Sequence, residues 1–164
     1  MTAASVLEVP AAAGLAIAAE VRRYGELDVE TGGFLLAPEG SGSVCTVAYA
    51  GAKGITRYRL QLQISEIALD KLFAFASTQG CWVPAQFHSH AGSAFLSRID
   101  REYGLRVPGF TSAVVPAFAD PPVNPDAWIW WQFDHGDWYP VDGPRTADRD
   151  LRQVTFDEDG VRAR

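Results

Sequence analysis

The stretch Cys81–His90 reads as a strand that ends on two histidines, and no other segment constrains the fold of this chain as tightly. Side chains alternate between faces along a strand, so His88 and His90, two residues apart, project from the same one. Ser97-Arg98-Ile99-Asp100 follows, with the spacing of a capping box at the start of a short helix, Ser97–Tyr103. Upstream, Glu30-Thr31-Gly32-Gly33 leads into a strand at Gly33–Ala37. Each fragment alone has an ordinary reading: polar strand residues, a helix cap, a turn carboxylate. Together they supply three metal ligands (His88, His90, Asp100), a hydroxyl (Ser97) and a carboxylate base (Glu30), the set that metal-assisted hydrolysis requires. A zinc ion held by three protein groups keeps a fourth position for water, the mark of a catalytic rather than a structural site.

Around these residues helical and strand periods alternate. Gly14, Ile17, Ala18 and Val21 share one face of a helix Ala11–Tyr24. Strands follow at Gly33–Ala37 and Val44–Ala50. Between Tyr58 and Ile64, apolar residues alternate with Arg59, Gln61 and Gln63, which predicts a half-buried strand. Ser65 caps a helix running to Gln79, with Leu69, Leu72, Phe73 and Ala76 on one face, and Gly80 stops it. Phe110–Val115 is a further strand, and Ala127–Phe133 and Trp138–Val141 form a hairpin across His135-Gly136-Asp137. Trp128, Trp130 and Trp131 read as sheet packing, and His135 as an exposed turn residue. The expected fold is α/β, one mixed central sheet flanked by helices. Residues 1–141 form the domain, and 142–164 a polar, partly ordered tail anchored by Val154 and Phe156.

Composition narrows the function. At 164 residues the chain supports one sizeable core. The Ala-rich run Ala11–Ala19 has no basic region before it and leads into Glu20-Val21-Arg22-Arg23, so it is not read as a signal peptide. No run approaches bilayer length, which points away from the membrane and toward a cytoplasmic protein. A net charge of −6 with dispersed arginines offers no basic stripe for nucleic acid. The two cysteines, Cys45 and Cys81, lack metal-type spacing; buried free thiols fit a reducing compartment, with a disulfide left open.

Glu30-Thr31-Gly32-Gly33-Phe34-Leu35-Leu36, His88-Ser89-His90 and Ser97-x-x-Asp100 resemble the signature of the JAMM (MPN-plus, or JAB) zinc metalloproteases, in particular the compact prokaryotic members. The resemblance spans about Glu20 to Phe133. It implies a JAB/MPN-like, cytidine-deaminase-like domain. It also implies Zn2+ on His88, His90 and Asp100, with Glu30 as the proton-handling base and Ser97 as the oxyanion donor. One departure stands out: Ala91–Leu96 is one residue shorter than the usual interval between the second histidine and the serine, and Ala91 occupies a position that is often proline. Gly92 is the residue expected to let the shorter loop close.

The implied activity is hydrolysis of a peptide or isopeptide bond after the C-terminal glycine of a ubiquitin-like protein. The tail of that protein would be bound by strand addition. A bacterial conjugation pathway with E1-like or E2-like partners, including an anti-phage one, is the implied setting. A third histidine in position to serve Ser97 is lacking, which argues against a serine nucleophile. Two alternatives stay open: a non-catalytic binding or scaffold module for a ubiquitin-like protein, and release of an amino acid from a sulfur-carrier protein.

Overall fold

The computed structural model describes residues 6–164. In chain order its elements are β1 (Glu8–Pro10), α1 (Ala11–Gly25), β2 (Gly32–Pro38), β3 (Thr46–Ala50), β4 (Ile55–Arg57), β5 (Leu62–Ile64), α2 (Glu66–Thr78), β6 (Cys81–Ser89), α3 (Arg98–Tyr103), β7 (Thr111–Val115), a 3-10 turn (Pro125–Ala127), β8 (Ile129–Asp134), β9 (Asp137–Val141), β10 (Arg145–Ala147), β11 (Arg152–Asp157) and β12 (Gly160–Ala163). Eight strands form one mixed sheet in the order β12-β11-β3-β2-β6-β7-β8-β9. β2 runs antiparallel to both its neighbours, while β6–β7 and β11–β3 are parallel pairs. The chain is therefore a mixed α/β protein with a large sheet flanked by helices. No helix among the described residues is long and apolar enough to cross a membrane.

Period-two alternation divides the core between the two faces. Leu35, Val47, Tyr49, Ala85, Phe87, Ala113 and Val115 pack under α1 with its buried Ala13, Ile17 and Val21. The opposite parity (Phe34, Leu36, Ala48, Val114, Val154 and Phe156) packs under α2 with Ala68, Leu72 and Ala76. His88 and His90 have the second parity, so both imidazoles lie on the α2 face and Ser89, between them, lies on the α1 face. Gly32 and Gly33 are needed because β2 is squeezed between its neighbours. A Cβ on Gly33 would sit 2.1 Å from the Ala48 carbonyl oxygen, and one on Gly32 would sit 2.4 Å from that of Phe87 and 2.8 Å from Leu62 Cδ2. The missing Gly32 side chain thus makes room for Leu62 beside His88, its partner in register.

Two expectations are corrected. Residues 142–164 are not a loosely held tail: β11 inserts beside β3, from Arg152↔Thr46 to Phe156↔Ala50, and β12 closes that edge of the sheet. The polar run through Asp150 masks this, whereas Val154 and Phe156 are fully buried core residues. Asp157 locks the turn that follows. Its Oδ1 accepts the Asp159 amide and Arg162 Nη1, and its Oδ2 accepts the Ala52 amide and Arg162 Nη2. The second correction concerns Tyr58–Ile64, where only Leu62–Ile64 is strand, paired with β4. Tyr58 donates its amide to the Gln61 carbonyl and accepts the Glu30 amide, so the chain turns and leaves Leu60 73% exposed.

The remaining elements follow the sequence closely. Ser65 caps α2 by accepting the Ala68 amide. The β8–β9 hairpin turns through His135 and Gly136, at φ 46° and 80°, the left-handed pair a tight two-residue turn requires. Trp128 and Trp130 are buried and stacked, and His135 is exposed. Cys45 and Cys81 are free thiols, half-buried rather than buried, with their Sγ atoms 3.9 Å apart at the end of the sheet remote from the histidines.

Candidate metal centre

The C-terminal end of β6 carries His88, and His90 follows it directly. The loop Ala91–Leu96 returns the chain so that α3 begins over them. Ser97 is the N-cap of α3: its Oγ accepts the Asp100 amide at 3.1 Å, and its own amide donates to Asp100 Oδ2 at 2.9 Å. The capping box is thus fully formed, and it aims the Asp100 carboxylate at the histidines. The same bonds that start α3 fix this carboxylate beside the two imidazoles.

Three atoms form a nearly equilateral triangle. His88 Nε2, His90 Nε2 and Asp100 Oδ2 are each 3.2 Å from the other two. Tetrahedral zinc with bonds of about 2.0 Å sets its ligand atoms about 3.3 Å apart. The group fits a metal ion without rearrangement, and it is the cluster among the described residues whose donor atoms converge in this way. His90 Nδ1 lies 3.3 Å from the Ser93 carbonyl oxygen, and a neutral ring that donates there would present its Nε2 lone pair to an ion. A hydrogen bond of this kind from the far ring nitrogen commonly orients a metal-ligating histidine.

Glu30 lies just ahead of β2 with its side chain 4% exposed and Oε1 3.9 Å from His90 Nε2. Burial pushes its carboxyl up to about 8; the nearby His90 works against this and Asp100 reinforces it. Burial also presses on Asp100, but hydrogen bonds from His88 and His90, the charge of His90's partner His88 and the Ser97 amide hold it well below the usual carboxylate range. His90 is pushed down by burial, yet Asp100 and Glu30 outweigh this and raise it. A buried carboxylate whose nearest cationic partner among the described residues, His90, lies 3.9 Å away is the electrostatic environment that a bound metal ion would relieve.

A groove of about 1220 Å³ opens beside the centre and reaches Glu30, His88 and Asp100. The β4–β5 hairpin and the start of α2 form one wall, α3 and Leu105 the other, and Phe34 and Gln86 contribute to the floor. Phe95, 54% exposed, meets the His90 ring edge-on at 5.0 Å.

All five residues singled out by the sequence therefore converge. Ser97 is half-buried, and because its oxygen is the acceptor in the cap its hydroxyl hydrogen stays free to donate. Gly92 does not have the special role expected of it: its φ is ordinary and open space surrounds its Cα, while the Ala117 amide holds its carbonyl at 2.9 Å. Sequence reasoning overlooked Arg57 and Ser89, which brace Glu30 and Thr31 from behind; a lone arginine on a short strand carries no motif.

No family model and no curated protein matches the chain. Among solved structures, it is similar to a protein of Desulfitobacterium hafniense, with a TM-score of 0.60 and 15% identity over 88% of this chain and 93% of that one. It is also similar to a protein of Salinibacter ruber, with a TM-score of 0.51 and 23% identity over 79% of this chain and 87% of that one. These likenesses establish the fold: an α/β domain with a large mixed sheet between helices.

Proposed function

We propose that this chain is a zinc-dependent peptidase or isopeptidase of the JAMM type, with a JAB/MPN-like fold, that hydrolyses the bond after the C-terminal glycine of a ubiquitin-like protein. The observation that carries the reading is the 3.2 Å triangle of His88, His90 and Asp100 with the buried Glu30 carboxylate beside it, open to a groove. A scaffold has no use for an ion site that keeps a position open, nor for a buried carboxylate next to it.

Zinc at this site supplies Lewis-acid polarisation of a carbonyl and activation of water at neutral pH. The protein's own groups do the rest. Glu30 accepts the proton of the attacking water at its carboxylate and returns it to the leaving amine. In the buried site Glu30 tends to stay protonated, and the positive charge of a bound ion would favour its carboxylate form. The Ser97 hydroxyl donates to the carbonyl oxygen as negative charge develops there. The groove takes an extended tail between the β4–β5 hairpin and α3. The setting that fits is a bacterial ubiquitin-like conjugation pathway, where the chain would deconjugate the modifier or mature its precursor.

The test is cleavage of a panel of ubiquitin-like proteins, each carrying a short C-terminal extension, by the zinc-loaded protein, by the chelated protein and by Glu30→Gln. Cutting after a terminal glycine that chelation and Glu30→Gln both abolish is the expected result. Absence of cutting across the panel by fully zinc-loaded protein would overturn the proposal.

A further inference from the structure

Arg57, on β4, is held where its guanidinium meets no carboxylate. Its Nε donates to Thr31 Oγ1 at 3.1 Å, Nη1 to the Gly51 carbonyl at 2.7 Å and Nη2 to the Ala50 carbonyl at 2.6 Å. Its Cζ lies 4.0 Å from the centroid of the Tyr24 ring, at the end of α1. No acidic side chain among the described residues lies within ion-pair range of it. In a chain with 20 acidic residues, a half-buried arginine that gives its donors to neutral oxygens is serving geometry rather than charge pairing.

What it holds is the base of Glu30. Thr31, whose hydroxyl Arg57 grips, directly follows Glu30. The Thr31 amide donates to Ser89 Oγ at 2.9 Å, and the Ser89 amide returns a bond to the Thr31 carbonyl at 2.9 Å. Ser89 is fully buried between the two histidines in sequence and faces away from them. The Glu30 amide donates at 2.8 Å to the carbonyl of Tyr58, the residue after Arg57. Glu30 is thereby tied to the ligand strand through Ser89 and to the groove wall through Arg57 and Tyr58.

We infer that Arg57 is a positioning residue, which fixes Glu30 against the metal-ligand triangle by clamping Thr31 and anchors the β4–β5 hairpin that walls the groove. The inference rests on the proposed role of Glu30. It requires arginine: the planar fork spans the Thr31 hydroxyl and two carbonyls at the end of β3 at once, and a lysine ammonium cannot. The proposed metal ligands themselves stand at the end of β6, just after it and on α3, and none of them bonds to Arg57.

Two readouts test it, in Arg57→Lys and Arg57→Ala, on the zinc-loaded full chain. The first is hydrogen exchange. In Arg57→Ala the Glu30 and Thr31 amides, and the Ser89 amide bonded to Thr31, should exchange about tenfold faster or more, with the β7 amides and the β6 amides before His88 unchanged. Unchanged exchange at Glu30 and Thr31, or a uniform rise across the sheet, would overturn the inference whether or not the chain cleaves anything. The second is kinetic, on whichever extended ubiquitin-like protein the wild type cuts. Both variants should lose about 100-fold in kcat with one zinc retained per chain, and millimolar guanidinium should restore part of the loss in Arg57→Ala but none in Arg57→Ala/Glu30→Gln. Full kcat in Arg57→Lys would contradict the clamp. A wild type that cuts nothing, together with local exchange at Glu30, would remove the proposed function and leave the clamp standing.

Discussion

Glu30 and Asp157 are both buried carboxylates, 3% and 1% exposed, and the fold treats them in opposite ways. Asp157 receives four hydrogen bonds, two from a single guanidinium fork and two from backbone amides. The fork and, against the pull of burial, the amides hold its pKa well below the usual range. Glu30 has only His90, at 3.9 Å, within ion-pair range among the described residues, and burial drives it up to about 8. A satisfied buried charge stabilises the turn it closes. A buried carboxylate without such partners costs stability, and in the proposed reading a metal ion and its water would complete the environment of Glu30.

That contrast can be broken in four places. The largest effect is on chemistry: Glu30→Gln should lower the rate of peptide hydrolysis about 10³-fold, measured as kcat on an extended ubiquitin-like protein, while zinc stays bound. Asp157→Ala should do the reverse. It should cost about 2–4 kcal/mol in urea unfolding, because it orphans the Ala52 and Asp159 amides and releases Arg162 from the β11–β12 turn, and it should leave zinc binding intact.

The third effect is pH-dependent and belongs to the metal-free protein. Glu30, raised in the fold from 4.5 to about 8, favours folding fully below pH 4.5, and that contribution disappears as pH rises toward 8. His90, also raised, adds to the loss above its ordinary value near 6.5. Asp100 and Asp157 are depressed, so their contribution is present above about pH 4 and lost as pH falls. Chelated protein should therefore be most stable between about pH 4 and 6.5, and Glu30→Gln should gain about 1–3 kcal/mol on it at pH 8. Urea titrations at pH 5, 6.5 and 8 check this, and zinc should flatten the alkaline side. The smallest effect is at Gly92→Ala, which meets open space at an ordinary φ and should change stability by no more than about 0.5 kcal/mol.

The two regions also differ in what the sequence reveals. The candidate metal centre was legible because metal-assisted chemistry needs fixed residue types at fixed local spacings. Two histidines share a strand face, and the capping box places a carboxylate three residues past its serine. Gly32 and Gly33 were legible as a pair, although the reason, the close approach of Ala48 and Phe87, is tertiary. The C-terminal strands were not, because β11 finds its partner β3 about a hundred residues earlier and the run Asp142–Asp150 before it reads as solvated chain. The alternation of Val154 and Phe156 with Gln153 and Thr155 was the available signal. At Tyr58–Ile64 alternation misled in its first half: the bond from the Tyr58 amide to the Gln61 carbonyl closes a turn that leaves Tyr58 and Leu60 exposed, whereas Leu62 and Ile64 alternate with Gln63 as a strand should. Arg57 was invisible because its partners, a hydroxyl just ahead of β2 and two carbonyls at the end of β3, come from two segments distant in sequence.

The most direct test of the account is the zinc content of the purified chain after dialysis against metal-free buffer, compared with His88→Ala, Asp100→Ala and Glu30→Gln. The account predicts one zinc per wild-type chain, none in the first two variants and one in Glu30→Gln. A folded wild type that holds no zinc after loading, or zinc that survives the loss of His88 and Asp100, would contradict it.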